Sequence, residues 1–94
     1  MITLDKNRRT VFAQGKHERL TPKEWALLSF LVDHEGQTFT AQELYKHIWD
    51  EEPFQCEGII AVHLRHVREK IEKDPSNPIY IKSSWGFGYS YNPS

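Results

Sequence analysis

The chain has 94 residues, 38% hydrophobic and 27% charged, with a formal net charge of −1 and one cysteine, Cys56. That is enough for one domain, residues 1–94, with its own core, and a lone cysteine excludes an internal disulfide framework and fits a reducing compartment. No apolar run approaches the ~18 residues of a membrane span, and Met1–Lys6 shows no signal-peptide pattern, so the chain reads as cytoplasmic, with no membrane contact.

Residues 2–20 read as short strands. Ile2 and Leu4 alternate with polar neighbours, Val11 and Phe12 follow a turn-like Asp5–Asn7, and Gln14-Gly15 turns the chain towards Lys16–Leu20. The expectation is a small antiparallel sheet. Thr21-Pro22-Lys23-Glu24 then starts a helix, with Thr21 as cap, Pro22 in the first turn and Glu24 closing a capping box. Leu20 and Trp25 stand where a hydrophobic staple joins. Leu27, Leu28, Phe30, Leu31 and Val32 imply burial on more than one side, and Gly36 ends this central helix.

The same device recurs at Thr40-Ala41-Gln42-Glu43, with a second helix to about Trp49 and Gln37–Phe39 as a short strand between the two. The loop Asp50–Glu57 carries four acids, and Pro53 keeps the second helix from running into the third. In Glu57–Ile71, Ile60, Leu64, Val67 and Ile71 fall within one narrow arc at 100° per residue. Opposite lie Gly58, Val62, Arg65, His66 and Glu69: a flat, small-residue N-terminal half and a basic middle. This is read as the recognition helix of a helix-turn-helix, spanning 57–73 and stopped by Asp74–Pro78. Ile79–Lys82 and Gly88–Tyr91 read as strands joined by a hairpin through Ser83–Phe87.

Charge is unevenly spread. Five Lys/Arg face two Asp/Glu in residues 1–20, two face eight in 21–57, and five face three in 58–94. A basic region beside an acidic one is a workable footprint for nucleic acid, although few phosphates can be neutralised and non-specific binding should be weak.

Small sheet, three helices with the third basic, then a hairpin: this α+β order is a winged helix-turn-helix. Leu20-Thr-Pro-Lys-Glu24 with Leu27-Leu28, then Glu43-Leu44 and Ile48-Trp49, resemble an LTxxE…LL…EL…VW pattern. Val62-His-Leu-Arg-His-Val-Arg68 resembles a VHIRxLR run, and Ile79–Tyr89 a YIKTVWGxGY wing. Together, over essentially the whole chain, they resemble the OmpR/PhoB-type effector domain of bacterial two-component response regulators, nearest the VanR-like Gram-positive branch.

The resemblance implies a transcription regulator with a receiver domain, absent from this chain, that a sensor kinase phosphorylates. It further implies two copies on tandem half-sites of double-stranded DNA, with helix 57–73 in the major groove and the wing, 82–88, at the adjacent minor groove. Carried over position by position, base-facing residues are Ile59, Ala61, Val62 and His66, and backbone contacts Trp49, His63, Arg65, Arg68 and Ser83. The wing residues are Lys82, Trp85 and Gly86, with Trp85 at the minor groove. The loop Asp50, Glu51, Glu52, Pro53 and Phe54 falls where the family meets RNA polymerase. Here the chain departs from pattern: Ile59 is apolar where relatives carry a polar residue, and Gly58 and Ala61 are small. Apolar groups read thymine methyls and not the bidentate patterns of guanine or adenine, so preference should lean on methyl contacts, His66 and DNA shape.

Plainer readings stand beside these. Arg65 and Arg68 suit a solvated helix face, His63 a structural histidine, His66 solvent, Trp49 the core, Trp85 hairpin packing, and Asp50–Gln55 a connector. Cys56, His63 and His66 lack the two-pair spacing of structural zinc, so no metal or other cofactor is expected. No paired carboxylates, nucleophile elbow or glycine-rich phosphate loop point to an enzyme, and no catalytic residue is assigned. The alternative function is a winged-helix protein-interaction module with weak or no DNA binding, suggested by the negative net charge.

Overall fold

Two capping boxes set the helical part of the molecule. In this computed structural model, which describes residues 1–84 and 86–93, Thr21 Oγ1 accepts the Glu24 N–H at 3.2 Å while Glu24 accepts the Thr21 N–H at 3.0 Å, opening α1 (Pro22–Asp33). The second box does the same between Thr40 and Glu43 and opens α2 (Ala41–Trp49). Each box satisfies two backbone donors that a helix start leaves free. α2 ends on Asp50 in the left-handed conformation, φ 55, and after the loop α3 runs over Glu57–Ile71.

Before the helices, β1 (Thr3–Asp5), β2 (Thr10–Ala13) and β3 (Lys16–Arg19) form an antiparallel sheet in that order, as expected. After them, β4 (Ile81–Ser84) and β5 (Gly88–Tyr91) make the C-terminal hairpin, with Ser84 opposite Gly88. The core lies between the layers. Leu27, Leu28 and Leu31 of α1, Leu44 of α2, and Ile60, Leu64, Val67 and Ile71 of α3 are completely buried with Val11 and Ile81. The core stripe read on α3 is the buried stripe observed. Winged helix-turn-helix describes the arrangement.

Four elements differ from expectation. α3 stops at Ile71, not at residue 73, because Glu72 turns extended (φ −89, ψ 142) and folds its side chain inward. Only 5% exposed, its carboxylate accepts the backbone N–H groups of Ile79, Tyr80 and Ile81 at 2.8–3.2 Å. The hairpin strand is shifted too, running Ile81–Ser84 rather than Ile79–Lys82: the N–H groups of Ile79 and Tyr80 are held by the carboxylate, and Ser83 and Ser84, expected in the loop, pair with Tyr89 and Gly88. Gln37–Phe39 is no strand of its own. Phe39 alone bridges to Tyr89, by a reciprocal pair of 2.8 Å backbone bonds that fastens the hairpin to the start of α2. Last, α1 closes at His34, whose N–H reaches the Phe30 and Leu31 carbonyls, and Gly36 (φ 85) follows two residues later.

Candidate nucleic-acid interface

The outward face of α3 is built by subtraction. Once Ile60, Leu64, Val67 and Ile71 are committed to the core, the 3.6-residue repeat leaves Gly58, Ile59, Ala61, Val62 and Arg65 outside. Ile59 is 39% and Val62 42% exposed, which is unusual for branched apolar side chains on one helix face. A Cβ added at Gly58 would meet nothing within 4 Å, so that end of the helix presents bare backbone. Four of the predicted residues, Ile59, Ala61, Val62 and Arg65, are thus brought onto one exposed surface.

The other predicted contacts are more constrained. His63 is half-buried: its Nδ1 lies 2.8 Å from the Ile59 carbonyl and its ring meets Trp49 edge-on at 5.1 Å. Trp49, also half-buried, stacks on Tyr45 and lies under the Lys23 ammonium at 4.9 Å. Lys23 in turn hydrogen-bonds the Ile48 carbonyl at 3.2 Å near the end of α2. His63 and Trp49 are therefore brought together as a packed joint between α2 and α3.

Arg68 links α3 to the wing. Its Nε donates to the Ile81 carbonyl at 3.0 Å, its guanidinium lies 5.9 Å from the centre of the Tyr89 ring, and Nη2 is buried without a partner among the described residues. With Nε on Ile81 and Nη2 buried, the guanidinium is largely committed to the wing. On the hairpin Lys82, Ser83 and Gly86 are exposed. Between hairpin and helix starts opens a cleft of ≈ 570 Å³ lined by Thr40, Gln42, Glu57, Ser83, Phe87 and Tyr89, which sets Ser83 on the side of the α3 N-terminus. Trp85 lies outside the described residues.

In the α2–α3 loop, Phe54 is 78% exposed and Glu51 accepts the Tyr45 hydroxyl at 2.8 Å. That hydrogen bond, with the Glu51 charge, pushes the Tyr45 phenol above its ordinary range. Asp50 and Glu52 are exposed and Pro53 is half-buried.

One feature of the site was absent from the sequence reading. Glu24, read only as a capping residue, is 4% exposed and reaches α3: its Oε1 accepts Lys70 Nζ at 2.7 Å, and its Oε2 faces His66 Nδ1 at 3.7 Å. The signal available was the spacing of His66 and Lys70, four apart and hence on one helix face. Burial pushes the Glu24 carboxyl up, but the Lys70 and Thr21 hydrogen bonds and the neighbouring charges of Lys70 and His66 outweigh it and hold the group below its usual value of 4.5. A carboxyl depressed on folding stabilises above its unfolded value and loses that contribution as pH falls through the folded one. Thermal unfolding followed from neutral pH to below 4.5 should show stability falling at the acid end, and Glu24→Gln should flatten that fall. An identical acid limb in the variant would refute the assignment.

Comparison with known proteins follows the same lines. Residues 15–91 match the family described as transcriptional regulatory protein, C terminal. The uncharacterized transcriptional regulatory protein YcbL of Bacillus subtilis (strain 168) is 42% identical over 94% of this chain and 39% of its own length. The regulatory protein VanR of Enterococcus faecium is 35% identical over 94% and 38%. The chain spans about two fifths of the length of these curated relatives. Among solved structures, the response regulator DrrB of Thermotoga maritima, an OmpR/PhoB homologue, superposes with a TM-score of 0.85 at 32% identity, covering 98% of this chain and 42% of that one. The Klebsiella pneumoniae RstA DNA-binding domain, solved in complex with the RstA box, shares the fold at a TM-score of 0.86 and 24% identity, with coverage of 99% and 92%.

Proposed function

Because the chain belongs to the C-terminal family of transcriptional regulatory proteins, the OmpR/PhoB-type winged helices of response regulators, we propose that it binds duplex DNA through the outward face of α3 and the wing. The observation that carries this is the single exposed surface of Ile59, Ala61, Val62 and Arg65, with Ser83 of the wing lining a cleft beside the α3 N-terminus. α3 is 15 residues long, sufficient to lie in a major groove. Ile59, Ala61, Val62 and His66 face bases, and Arg65, Ser83 and the Trp49–His63 joint meet phosphates. In the whole protein, a second copy on a tandem half-site, a receiver domain served by a sensor kinase, and RNA polymerase at Asp50–Phe54 complete the proposal. Exposed Phe54 supports the last of these, since a lone large apolar side chain on an acidic loop suits a protein surface.

Phosphate contacts position and base contacts specify. Arg65→Ala should weaken binding to every duplex alike and lower the salt dependence by roughly one counterion, whereas Val62→Ala should change which duplex is preferred. Selection from a random duplex pool, followed by salt titration of the winners, measures both. Affinity that does not move with salt would instead place the domain among protein-interaction modules.

A further inference from the structure

Arg65 and Arg68 stand three apart on α3 and read alike in the sequence, yet they meet different surroundings. Arg65 is exposed on the outward face. Arg68 is half-buried, and its guanidinium touches both strands of the wing. Nε donates to the Ile81 carbonyl of β4 at 3.0 Å, and the cation lies 5.9 Å from the centre of the Tyr89 ring of β5, within reach of the ring's negative face. Among the described residues, Nη2 is buried with no partner and no carboxylate lies within ion-pair distance of the group.

These contacts join the wing to the helix itself. Glu72, just past α3, holds the approach to the hairpin through the N–H groups of Ile79, Tyr80 and Ile81, and Phe39 ties Tyr89 to the start of α2. Among the described residues, Arg68 is the one side chain of α3 that hydrogen-bonds β4 or β5. Lys82 follows Ile81 directly, and Ser83 stands opposite Tyr89 across the hairpin. A shift at either contact of Arg68 is therefore carried straight to the exposed residues of β4.

We infer that Arg68 is a positioning residue for DNA binding: a strut that sets the wing at one distance from α3, so that Lys82 and Ser83 reach the duplex as the helix is seated, without touching phosphate itself. The inference rests on the reading of α3 and the wing proposed above. Two surfaces that must land together bind tightly when their separation is set beforehand; otherwise part of the binding free energy goes into ordering one against the other. The link to Ile81 is made by Nε and not by the positive charge as such. Glutamine therefore tells the two roles apart. Its Nε2 is carried on Cδ as the arginine Nε is, donates from the same place, and has no charge. Methionine has an unbranched stem of similar length and no donor.

The test uses the whole chain as wild type, Arg68→Gln and Arg68→Met. In the free proteins, amide signals of Ile81–Ser84 should move in Arg68→Met and stay in place in Arg68→Gln. Duplexes that the wild type selects from a random pool are then titrated at several salt concentrations. Arg68→Met should bind roughly tenfold more weakly, the worth of one hydrogen bond to a charged group, and Arg68→Gln should recover most of that loss with the salt slope of the wild type. Melting midpoints of both variants should stay near the wild-type value, since removing a buried, unpaired nitrogen offsets the lost link. With Lys82 and Ser83 both replaced by alanine, Arg68→Met should weaken binding by no more than about twofold further. Equal losses in the two variants, with the slope lowered by roughly one counterion, would make Arg68 a phosphate contact. Wing signals that stay in place in Arg68→Met, no loss of affinity in it, or a loss undiminished without Lys82 and Ser83 would each overturn the proposal as well. Wing signals that respond as expected, with no duplex enriched by the wild type, would locate the failure in DNA binding itself, and the positioning role would fall with it.

Discussion

Replacing Glu72 with alanine is expected to lower stability by about 3–5 kcal/mol, read as a fall in the midpoint of chemical or thermal unfolding. Its carboxylate is the acceptor for the backbone N–H groups of Ile79, Tyr80 and Ile81. Truncation leaves donors around the buried Tyr80 and Ile81 without partners, each costing about 1–3 kcal/mol. Glu72→Gln separates charge from geometry: an amide oxygen accepts part of what the carboxylate accepts, while its NH2 group faces other donors. The expected order is wild type, then Gln, then Ala. A Glu72→Ala variant within about 1 kcal/mol of wild type, inside the range of ordinary surface changes and small losses, would show that solvent reaches these donors and that the clamp is dispensable.

Gly88→Ala should be comparably damaging, through the wing. A Cβ there would lie 2.1 Å from the Phe39 carbonyl oxygen and 2.6 Å from its carbon, both backbone atoms that cannot swing aside, and φ is +124. The clash falls on the Phe39–Tyr89 bridge, so relieving it means parting the hairpin from the start of α2. A loss of about 3–5 kcal/mol is expected, or roughly 15–30 °C in the melting midpoint of a domain this size. Gly36→Ala is the control. Its φ of +85 is as foreign to alanine, but nothing lies within 4 Å, and the cost should be about 1 kcal/mol. Equal losses in the two variants would mean that backbone conformation, not the seam with Phe39, sets the requirement.

The starts of α1 and α2 were legible because a capping box is written within four consecutive residues, and both boxes form. The outward face of α3 was legible for a related reason: a helix repeat assigns its solvent side as soon as the core side is known. The end of α3 was not. Glu72 and Lys73 are good helix formers, and the visible stop signal, Asp74-Pro75, lies beyond them; what ends the helix is a carboxylate captured by N–H groups seven to nine residues later. The same holds for Arg68, read as a phosphate donor, whose Nε is held by Ile81 thirteen residues away. Glu24 and His66 stand on different helices, and only the packing of α1 against α3 brings them to 3.7 Å. Local grammar marks where elements begin and which way they face. Commitments between distant side chains come from the packing.

The bare N-terminal end of α3 has a practical corollary. Since a side chain at Gly58 would meet open space, that position can be diversified without repacking, and replacing its glycine raises helix propensity by up to about 1 kcal/mol. On the proposed reading of the α3 face, a library varied at Gly58 and Ala61 would shift the preferred duplex while leaving the core stripe of Ile60, Leu64, Val67 and Ile71 untouched.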